Sequence, residues 1–221
     1  MTTGNELVPL GRKLKKASRY DANGPQLLSL LASEDIQARD LGIAVDRSSV
    51  MQKVIRQGLR YDMLLISGGV SMGDYDLVPA VLKKQRVRPV FHKVRIKPGK
   101  PLLMGRRGNK VVFGLPGNPL STFINYHLFV RPAIRKMMGH KCCVPRFRQG
   151  RLGTLYVNQE HVRMFFAPVK ICKKNGVPML YPVPTQGSSD VLSLARADGF
   201  MRVAPQRRKI EKGAQVSFIQ I

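Results

Sequence analysis

Two glycine-rich strings carry the groups best placed for chemistry, GGVSMGDYD at Gly68 to Asp76 and LPGNP at Leu115 to Pro119. Each follows a short apolar run and precedes a helix-like segment. That layout presents backbone amides to an anion, while Asp74 or Asp76 could hold a hard cation beside it. Gly68, Gly69 and Gly73 allow close backbone approach, and Ser67 and Ser71 can donate to phosphate oxygens. The same glycines would also suit a plain tight turn, with one aspartate capping the next helix. Of the two aspartates, Asp76 is the better metal ligand. A third string, KPGKP at Lys97 to Pro101, sets Lys97 and Lys100 on either side of a rigid turn, as point charges for an oxyanion or as an ordinary surface turn.

Other candidates are more dispersed. Glu6 and Asp46 both follow strand-like ends, so either could join Asp76 around a cation or a departing group; each could equally be a cap or a solvated charge. Asn118, between Gly117 and Pro119, can cap the following helix or meet a ligand. Gly187 to Ser189 form the polar loop of the C-terminal region, as a ligand loop or a plain connection. Four histidines, His92, His127, His140 and His161, have no partnered nucleophile, and the GxxxxGK[ST] phosphate loop is absent.

The elements that must position these groups follow from periodicity. Asn23 to Ser33 predicts a helix with Asn23 as its cap, and Leu41 to Val45 a short strand ending at Asp46. Asp46 then begins a turn or caps a helix through Ser49 to Gln57. Met63 to Ile66 is apolar without alternation, as in a strand covered on both faces, and it leads into the Gly68 loop. A helix over Leu77 to Lys84 follows, then an alternating strand over Val90 to Ile96. Leu102 to Met104 and Lys110 to Phe113 form a hairpin feeding LPGNP, and Ser121 to Met138 reads as one long helix stopped by Gly139. Beyond Cys143 short alternating pieces are split by Gly and Pro turns. The expected architecture is therefore α/β, a doubly wound, mostly parallel sheet over residues 1–142, followed by a small all-β, barrel-like domain over 143–221. In the first fold class ligands gather beyond the carboxyl ends of the strands, where the loops Thr2 to Glu6, Asp46, Gly68 to Asp76 and Gly114 to Pro119 would converge.

Composition narrows the partners. The 221 residues can bury a real core, and 43% hydrophobic content argues against wholesale disorder. No apolar stretch approaches membrane-spanning length and no basic-then-apolar leader is seen, so the expected compartment is the cytoplasm. Cys142, Cys143 and Cys172 fit neither a disulfide framework nor a zinc set. The formal charge of +25 is uneven: Leu77 to Gln159 holds no acidic residue against 18 Lys and Arg. Such a field attracts an anionic partner of any kind, but zinc-finger spacing and aromatic RNA-binding patterns are missing, which disfavours nucleic acid.

Several strings together resemble the C-terminal part of the molybdopterin molybdenumtransferase family, the MoeA-type proteins also found as the E domain of gephyrin. They are TTGNEL (Thr2 to Leu7), the Asp21 to Asn23 neighbourhood, Asp46, SGGVSMGDYD (Ser67 to Asp76), KPGKP, GLPGNP (Gly114 to Pro119) and QGSSDVLSLARADG (Gln186 to Gly199). Their order spans almost the whole chain. The resemblance implies the molybdopterin-binding fold and insertion of molybdenum, supplied as molybdate, into adenylylated molybdopterin, with release of AMP and assistance from Mg²⁺. It implies catalytic and metal-binding roles for Glu6, Asp46 and Asp76. It implies contacts to the anionic pterin phosphate from Thr3, Gly4, Ser67, Gly68, Gly69, Ser71, Gly73, Lys97, Lys100, Pro116, Gly117, Asn118 and Ser188. Two departures stand out. Asn5 replaces an acidic residue, and the family's two further domains and a hydrophobic strand before TTG are not present in this sequence. In the family those domains complete the cleft across a homodimer, so a separate N-terminal partner chain or a non-catalytic binding fragment are the alternatives to a complete enzyme. A basic nucleic-acid-binding protein on the same scaffold is the remote one.

Overall fold

The computed structural model of the chain describes residues 1–70, 77–160, 162–187 and 189–221. In chain order the elements are β1 (Thr2–Thr3), β2 (Leu7–Val8), β3 (Arg19–Tyr20), α1 (Asn23–Ala32), β4 (Ile43–Ala44), α2 (Ser48–Gly58), β5 (Met63–Ser67) and α3 (Leu77–Lys84). Then come β6 (Arg88–His92), β7 (Ile96–Lys97), β8 (Leu103–Arg107), β9 (Lys110–Leu115), α4 (Pro119–Asn125), a π-helical turn (Tyr126–Val130) and α5 (Arg131–Met137). The last third holds β10 (Arg148–Leu152), β11 (Tyr156–Val157), β12 (Met164–Lys174), β13 (Val177–Pro182), α6 (Val191–Arg196), β14 (Gly199–Val203), β15 (Lys209–Ile210) and β16 (Gln215–Gln220). By packing, the chain forms two units, residues 1–94 with 101–123, and residues 95–100 with 124–221.

The first unit is built on a six-stranded sheet in the order β4-β1-β5-β9-β8-β6. The first four strands run parallel, and the β8–β9 hairpin and β6 continue the sheet antiparallel, so it is mixed. Thr2 and Thr3 hold the position between β4 and β5, with Thr2 opposite both Ile43 and Ser67. Helix α2 forms because Met51, Ile55 and Gly58 recur at helical spacing and bury one stripe. Helix α3 does the same with Val78, Val81 and Leu82. These stripes meet Leu64, Ile66, Leu103 and Val112 of the sheet in one core.

The second unit is a closed barrel. Strands β13-β10-β16-β14-β12 are paired in that order and β12 pairs back to β13, which leaves no open edge among the five. Eleven-residue β12 makes closure possible: Phe165 to Val169 pair with β14, and Val169 to Lys174 pair with β13. Leu152, Val169, Leu180, Met201 and Phe218 fill the interior. Strand β7 adds to the barrel sheet by parallel pairing, Ile96 opposite Met164 and Lys97 opposite Phe165.

Four local expectations are corrected. The segment Val90 to Ile96 is two strands, because Lys93 turns the chain at φ 75° after a register shift between Pro89 and Phe91. The helix from Pro119 to Met137 is interrupted by the π-helical turn just before Pro132, which has no amide to give the regular ladder. Asn23 lies inside α1, where the flanking Ala22 makes no side-chain cap. Asp46 does not cap α2, whose flanking residue is Arg47.

Candidate functional site

In the first unit the carboxyl ends of β1, β4, β5 and β9 are tied together by short polar side chains. Asp21 is the organiser on one side: Oδ2 accepts the Thr2 hydroxyl at 2.8 Å, and Oδ1 accepts the Asn23 and Gly24 amides, both at 3.0 Å. Those two amides open α1, so Asp21 performs the capping that the sequence reading gave to Asn23. The Asn23 side chain is thereby released to reach across the sheet. Its Nδ2 donates to Ser67 Oγ and to the Gly117 carbonyl, both at 2.8 Å. Ser67 Oγ donates to the Pro116 carbonyl at 3.1 Å, and the Thr122 hydroxyl donates to the same carbonyl at 2.6 Å. The end of β5, where the first glycine-rich string begins, is thus hydrogen-bonded to the second string.

Asp46 fixes the β1 end. Its Oδ1 accepts the Thr3 hydroxyl at 2.6 Å and its Oδ2 the Asn5 amide at 3.2 Å, while Asn5 Oδ1 accepts the Asp46 amide at 3.0 Å. Asn5 therefore serves as a reciprocal partner of Asp46. Gly68 and Gly69 sit at φ 97° and 62°, and a Cβ on Gly68 would collide with the Thr3 carbonyl oxygen. Here glycine is needed both for the backbone conformation and for the approach of β5's end to β1. The amide of Gly68 donates to the Leu115 carbonyl at 3.0 Å, which closes the β5 and β9 ends together.

The candidates thus fall into three groups. Thr3, Gly4, Asp46, Ser67, Gly68, Gly69, Pro116 and Gly117 lie at neighbouring strand ends of the first unit, with Glu6 exposed just after β1 and Asn118 exposed at the start of α4. Lys97 and Lys100 belong to the second unit. Ser71, Gly73, Asp76 and Ser188 lie outside the described residues, as does Asp74. Among the described residues no three His, Cys, Asp or Glu side chains gather into a cation site. Without such a cluster the described part of this site does not by itself supply a ligand set for Mg²⁺.

Lys97 stands on β7 and forms an ion pair with Glu160 at 3.3 Å. Glu160 is only 7% exposed, and it also accepts Arg163 Nη2 at 2.8 Å and the Val162 and Arg163 amides at 3.0 and 3.1 Å. Burial alone would push its carboxyl pKa up. Hydrogen bonds from Arg163, the Val162 amide, Lys97 and the Arg163 amide outweigh that and draw it down to about 2. Gly99 packs on Asn125, whose Nδ2 donates to the Gly99 carbonyl at 3.1 Å, so the KPGK turn is held at both ends within the second unit. Lys100 is exposed beyond it.

Sequence reasoning missed Asn23 as a cross-sheet donor, Thr122 and Glu160. One signal was available: Glu160 is the first carboxylate after the acid-free stretch Leu77 to Gln159 and is followed closely by Arg163.

Residues 1–136 match the family described as a probable molybdopterin-binding domain, and residues 154–221 match the MoeA C-terminal region, its domain IV. The chain belongs to the MoeA-type molybdopterin molybdenumtransferase family. A molybdopterin molybdenumtransferase of Haemophilus influenzae is 30% identical over 220 residues, covering 98% of this chain and 54% of that protein. One from Staphylococcus epidermidis is 26% identical, covering 99% and 52%. The crystal structure of a molybdopterin biosynthesis MoeA protein from Pyrococcus horikoshii superposes with a TM-score of 0.82 at 30% identity, over 99% of this chain and 52% of that one. The chain thus spans about half the length of the family relatives it matches. Among the described residues, no helix is long and apolar enough to cross a membrane.

Proposed function

We propose that the chain binds an adenylylated, phosphate-bearing pterin at the strand-end cluster of its first unit, and acts in insertion of molybdenum from molybdate with release of AMP. The observation that carries this reading is the Asn23–Ser67–Gly117 bridge. It ties the end of β5 to the turn after β9, at the ends of adjacent parallel strands, the place where this fold class receives phosphate ligands. In this reading Gly68, Gly69 and Gly117 bring backbone close to the ligand, with Thr3, Gly4, Pro116 and Asn118 shaping the same rim. Ser67 is the hydroxyl at the end of β5, and Ser71 and Gly73, outside the described residues, are proposed as further contacts from the same string.

Release of AMP breaks a phosphoanhydride P–O bond as water oxygen attaches to phosphorus, with the proton passing to a nearby base. Glu6, Asp46 and Asp76 are the acidic residues assigned to that side. Lys97, Lys100 and Ser188 are proposed as further contacts to phosphate, Ser188 lying outside the described residues. Mg²⁺ would rely on Asp76 for its first ligand and would neutralise phosphate charge; no step above depends on it. The partners proposed for this reading are a second copy in a homodimer, as in the full-length family, or a separate partner chain, and the proposed compartment is the cytoplasm.

The test is AMP release from adenylylated molybdopterin with Mg²⁺ and molybdate, comparing the native chain with Asp76→Ala. Release lost in the variant supports the transferase reading. Pterin binding without release reduces the chain to a binding module that needs a partner, and loss of both overturns the assignment.

A further inference from the structure

The outer face of the barrel carries an open pocket of about 580 Å³ whose lining comes entirely from the second unit, including Gln149, Met164, Arg202, Arg207, Val216 and Ser217. Its polar wall follows from register. Gln149 of β10 lies opposite Ser217 of β16, which lies opposite Arg202 of β14, so three outward side chains form a row across adjacent strands. Alternation sets their direction, since Gly150, Val216 and Met201 point inward and are buried.

Both arginines are held in place. The Arg202 guanidinium carbon lies 4.6 Å from the centroid of the Phe147 ring. Arg207 donates Nη1 to the Gln215 carbonyl at 3.1 Å, which leaves its other N–H groups for a ligand. Gln149 Nε2 donates to Ser217 Oγ at 2.9 Å, so the Ser217 hydroxyl proton remains available. No carboxylate among the described residues lines the pocket. Among the described residues Glu160, Asp198 and Glu211 pair with Lys97, Arg163, Lys170 and Lys209, and none of these carboxylates pairs with Arg202 or Arg207.

We propose that this pocket is a second ligand site, taking a small phosphate monoester with an apolar or aromatic body. Two guanidiniums in one pocket repel each other, and a dianion relieves that better than a carboxylate does. Their planar forks suit phosphate oxygens. Met164, half-buried, supplies apolar wall, and the volume lies in the range of small-molecule sites. The site is separate from the strand-end cluster in its residues, and it stands whether or not the transferase reading holds.

The probe is phenyl phosphate, titrated into the chain while NMR signals of the Gln149 side-chain amide and the Met164 methyl are followed. Saturable shifts at both are expected. Binding at these reporters should weaken at least tenfold in the Arg202→Gln/Arg207→Gln double variant, and less in Arg202→Lys, which keeps charge without the fork. Arg207→Gln alone, which loses one surface hydrogen bond, stands in if the double variant is unfolded. Shifts confined to first-unit signals, or an affinity unchanged in the variants, would overturn the proposal. So would displacement of phenyl phosphate by a short single-stranded oligonucleotide at far lower concentration, which would mark the pocket as part of a nucleic-acid surface.

Discussion

The first unit and the second use hydrogen-bonded carboxylates for different work. Asp21 holds a hydroxyl and two backbone amides, and Asp46 a hydroxyl and one amide. Both therefore shape loops. Glu160 also takes two amides, but it adds Lys97 and Arg163, so it gathers cations onto the barrel. Hydrogen bonds to backbone amides and hydroxyls are little affected by added salt. A cluster built by charge is screened by it. The strand-end assembly is the steadier of the two, and the basic turn beside Glu160 the more responsive.

The most damaging way to break the first arrangement is Gly68→Ala. The new Cβ meets the Thr3 carbonyl at a backbone conformation that alanine resists, and a loss of about 3 kcal/mol or more in chemical denaturation is expected. Asp21→Ala should come next. It strands two buried amides and the Thr2 hydroxyl and should cost about 2 kcal/mol, with little dependence on added salt.

Glu160→Gln sharpens the contrast with a smaller effect, about 1 kcal/mol at neutral pH, because Lys97 is 44% exposed and water screens its half of the pair. The pH dependence identifies it. The folded-state pKa of about 2 lies below the ordinary value of 4.5, so the Glu160 contribution is complete above about pH 4.5 and is lost as pH falls toward 2. Thermal melts of wild type and variant should converge across that window. Asp198, whose carboxyl is held low by the Ile171 amide and Lys170, gives both proteins the same remaining acid sensitivity. A difference that persists unchanged to pH 2 would mean Glu160 acts by shape alone.

Local periodicity made much of this legible. The MLLI run marks β5 to within one residue of its end, and Leu77 to Lys84 is α3 as expected, because each buries a stripe or face that a short window displays. What failed depends on partners far along the chain. Val90 to Ile96 alternates like one strand, yet its first part pairs with β8 and the residues after it with β12, and no local pattern records that exchange. Strand β10 was missed because its inward positions include Gly150, which packs against the Pro178 carbonyl and offers no apolar side chain to count. At the site, the glycine strings and Asp46 could be picked out because their residue types are unusual. The cross-sheet role of Asn23 could not, since it arises only when α1 is laid beside β5 and β9.

The placement of β7 has a practical consequence for anyone dissecting this molecule. A gene fragment starting after Cys142 would contain all five strands of the closed barrel but neither β7 nor Lys97. Residues 164 and 165 of β12 would lose their neighbour there, and Glu160 would keep Arg163 as its single cation. The two units cannot be separated with one cut. A faithful isolated barrel needs the Arg95 to Lys100 hexapeptide supplied in trans, or grafted through a redesigned connection.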